Sequence, residues 1–166
     1  MYIATINQRV MPGVRGFSMV EILVTIFILA IGLLGLAGLQ ATGLKNNQSA
    51  YLRTVAMQQA YDMADRIRAN AAGKDAGDYD AISGIPSNPN CISSGCTPTQ
   101  MAQYDNYAWN TDNASQLPSG KGTVTRSGNM FTVTLMWDDD HTGATGTNCS
   151  GDTSVDLTCF TLSFEP

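Results

Sequence analysis

Glu21 stands immediately before eighteen residues, Ile22 to Leu39, that carry no charge. An ionised carboxylate at the centre of a membrane-spanning helix costs about 2.5 to 3.5 kcal/mol, and less near the interface. A cation beside it would offset that cost. A cut between Gly16 and Phe17 creates one, because the new α-amine of Phe17 would lie one helical turn from Glu21, and a neighbouring copy would bring its own. Glu21 also sits where the positive end of a helix favours an acid.

Four cysteines form the second set of reactive side chains: Cys91, Cys96, Cys149 and Cys159. All lie far from the apolar run, and an even count there reads as two disulfides in an oxidising space. Three pairings are open, and loop-closure entropy favours Cys91 with Cys96 and Cys149 with Cys159. Four residues separate Cys91 from Cys96 and His141 is the sole histidine. That spacing does not match the usual zinc patterns. Asp138, Asp139 and Asp140 beside His141 suggest calcium, which takes several oxygen ligands. Three adjacent carboxylates on a strand cannot all point inward, however, and Thr142 to Gly146 lacks the acidic spacing of an EF-hand. A solvated turn is expected there. No nucleophile with a base and an orienting group can be assembled, so no enzyme activity, metal or cofactor is expected.

These residues need elements to hold them. At about 1.5 Å per residue the run from Ile22 to Leu39 reaches roughly 27 Å, and roughly 35 Å counted from Phe17, against a hydrocarbon core of about 30 Å. A secretory signal has a shorter apolar region and is cut after it, whereas here Arg9, Arg15 and Gly16 precede the run. The span is therefore expected to be retained over about residues 17–39. Arg9 and Arg15 hold the N-terminal side in the cytoplasm and place the remainder in the periplasm. Beyond the span, Leu52, Ala56, Ala60, Met63, Ala64, Ile67 and Ala71 recur at steps of three and four, which extends the helix to residue 72 with Gly73 as its C-cap. Asp62 with Arg66 and Asp65 with Arg68 support its outer face.

Residues 73–98, rich in Gly, Asp, Ser, Asn and Pro, read as a surface connection. A second helix is predicted between Thr99 and Leu117, with Met101, Tyr104, Ala108 and Trp109 on its packed side and Pro118 at its end. A hairpin of Gly122–Arg126 and Met130–Trp137 follows, and a third strand at Ser154–Phe164. Trp109 and Trp137 are expected as packing anchors. The fold class is α+β: a long N-terminal helix on a small antiparallel sheet over about 122–164, with a head of residues 73–166.

The segment RGFSMVEILVTIFILAIGLLGLAGLQ resembles the class III signal of the type IV pilin superfamily. The resemblance implies that residues 1–16 are a leader removed by a membrane-embedded prepilin peptidase, that Phe17 becomes the N-methylated N-terminus, and that Glu21 brings a subunit into register in the filament. AYDMADRIRAN at 60–70, Asp105 with Trp109, Leu117-Pro118-Ser119-Gly120 and VTLMWDDD at 133–140 resemble the minor pilins of the type IV pilus modification kind. That implies a non-enzymatic subunit at the pilus tip that helps to initiate assembly and supports motility and adhesion. Its implied partners are other minor pilins, the major pilin, the inner-membrane assembly platform and a tip adhesin. It would stand single-pass in the inner membrane, and in the pilus once assembled. The alternatives are a pseudopilin of a type II secretion system, which shares the signal, or a membrane-anchored periplasmic binding protein.

Composition agrees with that reading. Without residues 1–16 the chain keeps seven basic residues against fourteen acidic ones, a net charge of −7. The head beyond the helix offers only Lys74, Lys121 and Arg126 as cations. No basic stripe is available to displace phosphate counterions, so nucleic acid is not expected as a direct partner.

Overall fold

A computed structural model describes residues 16–166. Arg9 and Arg15, which carry the expected orientation, lie outside the described residues. The chain divides into two compact units, one reaching to Leu44 and one from Lys45 to Pro166.

Helix α1 spans Met19–Ala69 and contributes to both units. Every side chain from Gly16 to Gln48 is exposed, as befits a segment whose apolar surface has only lipid or another protein to meet. The helix is long and apolar enough to cross a membrane. From Leu52 onward the pattern changes: Leu52, Val55, Ala56, Ala60, Met63, Ala64 and Ile67 are buried. Their spacing puts them on one stripe, and that stripe faces the sheet of the second unit.

The helix stops earlier than its periodicity suggests. Asn70 leaves helical geometry at φ −103°, ψ 66°, and its side chain caps a separate short helix α2, Ala71–Asp75, by accepting from Gly73 N at 3.1 Å. Ala71 is consequently exposed rather than part of the buried stripe. Gly73 is not a C-cap. It is buried inside α2, where a Cβ would stand 2.6 Å from Asn70 Nδ2 and 3.1 Å from Pro98 O.

The connection at 73–98 holds more order than its composition implies. It contains α2, the two-residue strand β1 (Ala81–Ile82) and a single turn, α3 (Cys91–Ser94). Helix α4 follows at Pro98–Gln116, begun by a capping box in which Thr97 and Gln100 satisfy each other's backbone N–H groups. Its buried face is Ala102, Asp105, Trp109, Asn110 and Asn113. Met101 is exposed and Tyr104 and Ala108 only half-buried, so the face is rotated by one residue from the expected one. Trp109 belongs to both faces, its ring against the backbone of Gly122; the residues that shift the face are Asp105 and Asn110, which bond to Arg66 and Tyr79 and to the Gly122 amide.

Strands β2 (Lys121–Ser127), β3 (Met130–Trp137) and β4 (Thr158–Phe164) complete an antiparallel sheet in the order β1-β2-β3-β4. Ser127 pairs with Met130 across Gly128-Asn129, and Gly128 takes φ +62° as a tight two-residue hairpin turn requires. Phe131, Val133, Leu135 and Trp137 alternate into the core against α1, with Phe160, Leu162 and Phe164 packed beside them. The last strand begins at Thr158, not Ser154, because Asp152 folds the preceding residues into a turn: its carbonyl accepts from Val155 and Asp156, and its carboxylate from Ser154. Disulfides join Cys91 to Cys96 and Cys149 to Cys159.

Candidate assembly site

In the first unit, Gly16, Phe17 and Ser18 precede α1. The Ser18 carbonyl accepts from Glu21 N at 3.0 Å and Ile22 N at 3.2 Å, which starts the helix one residue after Ser18. Phe17 is 80 % exposed, and it shares a shallow cleft with Glu21, Ile22 and Thr25. That helical spacing puts the expected cut and the carboxylate on the same side of the chain. Glu21 is exposed and makes no ion pair among the described residues. Gly16 and Phe17 are both exposed, and Phe17 stands about one helical turn before the carboxylate.

Glycines 32, 35, 38 and 43 have nothing within 4 Å of where a Cβ would be. This stretch of α1 therefore presents bare backbone notches among exposed Leu29, Leu33, Leu36 and Leu39, a surface onto which another helix can pack closely.

The outer part of α1 is held through two polar contacts that the sequence did not single out, one of them braced by an indole. Lys45 pairs with Asp140 at 3.1 Å, Ser49 Oγ donates to Asp139 at 2.6 Å, and Trp137 Nε1 donates to the other Asp139 oxygen at 2.9 Å. Asp138 is buried and accepts from Thr142 N, Gly143 N and the Thr142 hydroxyl. Burial opposes its charge, yet these donors outweigh it and hold the carboxyl below the usual range. The three aspartates thus point to three separate partners: a turn, an indole with a serine, and a lysine.

Further along α1, Arg66 binds Asp62 at 2.7 Å and the buried Asp105 at 3.2 Å, while Tyr79 donates to Asp105 at 2.5 Å. Asn70 Nδ2 reaches Tyr79 Oη and Pro98 O. Burial works against the guanidinium's charge, but the hydrogen bonds and attraction from Asp62, then Asp105, hold its pKa above the ordinary value. Burial, then the bond to Asp105, drives the Tyr79 phenol upward. The network ties α1 to α4 and to the segment before β1. Its sequence signal was an aspartate one helical turn before Trp109, and so on the same face of α4. Trp109 Nε1 adds a bond to Gln59 O at 2.8 Å.

Two family models match. One described as the prokaryotic N-terminal methylation motif covers residues 11–37, and one described as type IV pilin Tt1218 covers residues 38–107. Neither the curated proteins nor the solved structures gave a match.

Proposed function

Because this chain belongs to the type IV pilin superfamily, we propose that it is a minor pilin of the pilus modification kind, cut by prepilin peptidase between Gly16 and Phe17 and N-methylated on Phe17. The single observation that carries this reading is Glu21. It is an exposed carboxylate in the first turn of α1, at the head of a charge-free run and inside the matched methylation motif. The amine released on Phe17, in the same chain or a neighbouring one, neutralises it as the helix leaves lipid for the filament. The exposed apolar part of α1 packs on other pilin helices, and the unit from Lys45 onward stands clear of the membrane in the periplasm and then on the pilus.

The motifs of the outer helix and the head, from AYDMADRIRAN through VTLMWDDD, support a role at the tip, where the subunit primes assembly with other minor pilins and the major pilin on the inner-membrane platform and carries a tip adhesin. Motility and attachment follow from that position. Mass spectrometry of the mature N-terminus tests the reading: N-methylated Phe17 is expected, and an intact Met1 or a cut elsewhere overturns it. Co-purification of the subunit with minor pilins, rather than with the pseudopilins of a secretion system, tests the tip assignment.

A further inference from the structure

Strand β1 pairs with only Ile82 and Ala81 against a seven-residue β2. Gly84, at φ +65°, then turns the chain away from the sheet. The departure opens a cavity of about 670 Å³ between Ser83–Ile85 and Lys121–Thr123, floored by Thr134 and Met136 on the sheet's outer face and closed opposite by Thr147 and Cys149. That volume lies within the range of ligand sites.

Three properties define what would fit. The slot is bounded along one side by a strand, so an extended chain follows its length. Its apolar contact surface is mainly Ile85, 54 % exposed, at the rim, above a floor in which Met136 is 3 % exposed. Its cation is Lys121. Lys45, Arg66, Arg68, Lys74 and Arg126 each stand 2.7–3.4 Å from a carboxylate oxygen. Lys121, like Arg53 on α1, has no such partner among the described residues, and of the two it is Lys121 that lines this cavity, its ammonium reaching Thr145 O at 3.5 Å. A lysine without an acid partner at the mouth of a cavity gives that mouth a positive charge complementary to a carboxylate from outside.

Simple strand addition is blocked. The amide of Gly122 that faces the open edge already donates to Asn110 Oδ1 at 2.8 Å, which blunts this edge against self-pairing. Recognition must therefore run through side chains. The far wall is preformed, because the Cys149–Cys159 disulfide and the Asp156 carboxylate, which accepts from Asn148 N and Ser150 N, hold it.

We propose that this cavity is a docking slot for an extended peptide segment of another protein, which seats an apolar side chain over Met136 and Ile85 and presents a neighbouring carboxylate to Lys121. The slot lies in the second unit and does not depend on processing at Phe17.

The test is fluorescence anisotropy with the full chain in detergent micelles and a fluorescein-labelled Leu-Asp-Leu-Asp-Leu peptide, against its lysine counterpart and free hexanoate. The aspartate peptide is expected to bind, the lysine peptide to bind at least about tenfold more weakly, and Lys121→Glu to weaken the aspartate peptide by a similar factor. Ile85→Glu, on an exposed rim residue, is expected to weaken it without altering the unfolding midpoint. Equal binding of both peptides, indifference to both substitutions, or hexanoate competing as well as the peptide would overturn the proposal. The mature N-terminal mass is read separately, so failure here leaves the pilin reading untouched.

Discussion

Ser49 of α1 donates its hydroxyl to Asp139 at 2.6 Å while Trp137 Nε1 holds the same carboxylate from the other side at 2.9 Å. One carboxylate thereby joins the outer helix to the end of β3. Lys45–Asp140, one helical turn earlier, is a more exposed contact, with the lysine side chain 69 % accessible.

The two contacts should differ in weight. Asp139→Ala leaves the buried Trp137 indole without that acceptor, at a cost of about 1–3 kcal/mol. Lys45→Ala removes only a surface ion pair and should cost under about 1 kcal/mol. Urea unfolding of the full chain in micelles, followed by tryptophan fluorescence, compares them. Equal losses would refute the central role given to Asp139.

Acid should weaken the turn after β3. Asp138 carries a depressed pKa in the folded chain because two backbone amides and the Thr142 hydroxyl outweigh its burial. Its contribution is therefore complete above the unfolded carboxyl value of about 3.9 and is lost as pH falls through the lower folded value. Stability should decline below about pH 4, and Asp138→Asn should flatten that decline while lowering stability at pH 7. An unchanged slope in the variant would show that Asp138 does not drive it.

Gly122→Ala tests the packing of α4 on the sheet. A Cβ at residue 122 would run into the Trp109 ring and approach Asn113 Nδ2 to 2.8 Å. Overpacking of this kind costs about 1–3 kcal/mol. The unfolding midpoint should fall and the near-ultraviolet signal of the indoles should change; a variant matching the parent in both would show that Trp109 has room to move.

Glu21→Val should separate processing from assembly. The Gly16–Phe17 bond is unaltered, so the N-terminal mass should still begin at Phe17. Loss of the pairing with a neighbour's amine should lower the variant's share in sheared filaments about tenfold, the effect of a desolvated charge pair worth on the order of 1.5 kcal/mol. Unchanged abundance would refute the pairing.

The helix was readable because its signals are local. An uncharged run has to meet lipid or protein, and a three-and-four spacing has to place Leu52 to Ile67 on one side. The hairpin was equally local, set by alternating Phe131 to Trp137 and a glycine in the turn. What escaped depends on contacts far apart in sequence. Asn70 breaks the helix because Tyr79 and Pro98 hold its amide, and β1 exists because Val124 and Thr125 offer it an edge. The face of α4 turned by one residue because Asp105 and Asn110 found partners in Arg66, Tyr79 and the Gly122 amide.

The sequence alone determined the charge-free span, the carboxylate at its mouth, the processing motif before it and the even set of cysteines, since each follows from residue type and spacing within a few turns of chain. Only the tertiary structure decided which partner each of Asp138, Asp139 and Asp140 takes, which sulfurs meet, and that Asp105 is buried between Arg66 and Tyr79. The reason is physical: a side chain's partner is set by which distant backbone is packed beside it, and burial, which makes the choice costly to violate, exists only once the core has closed.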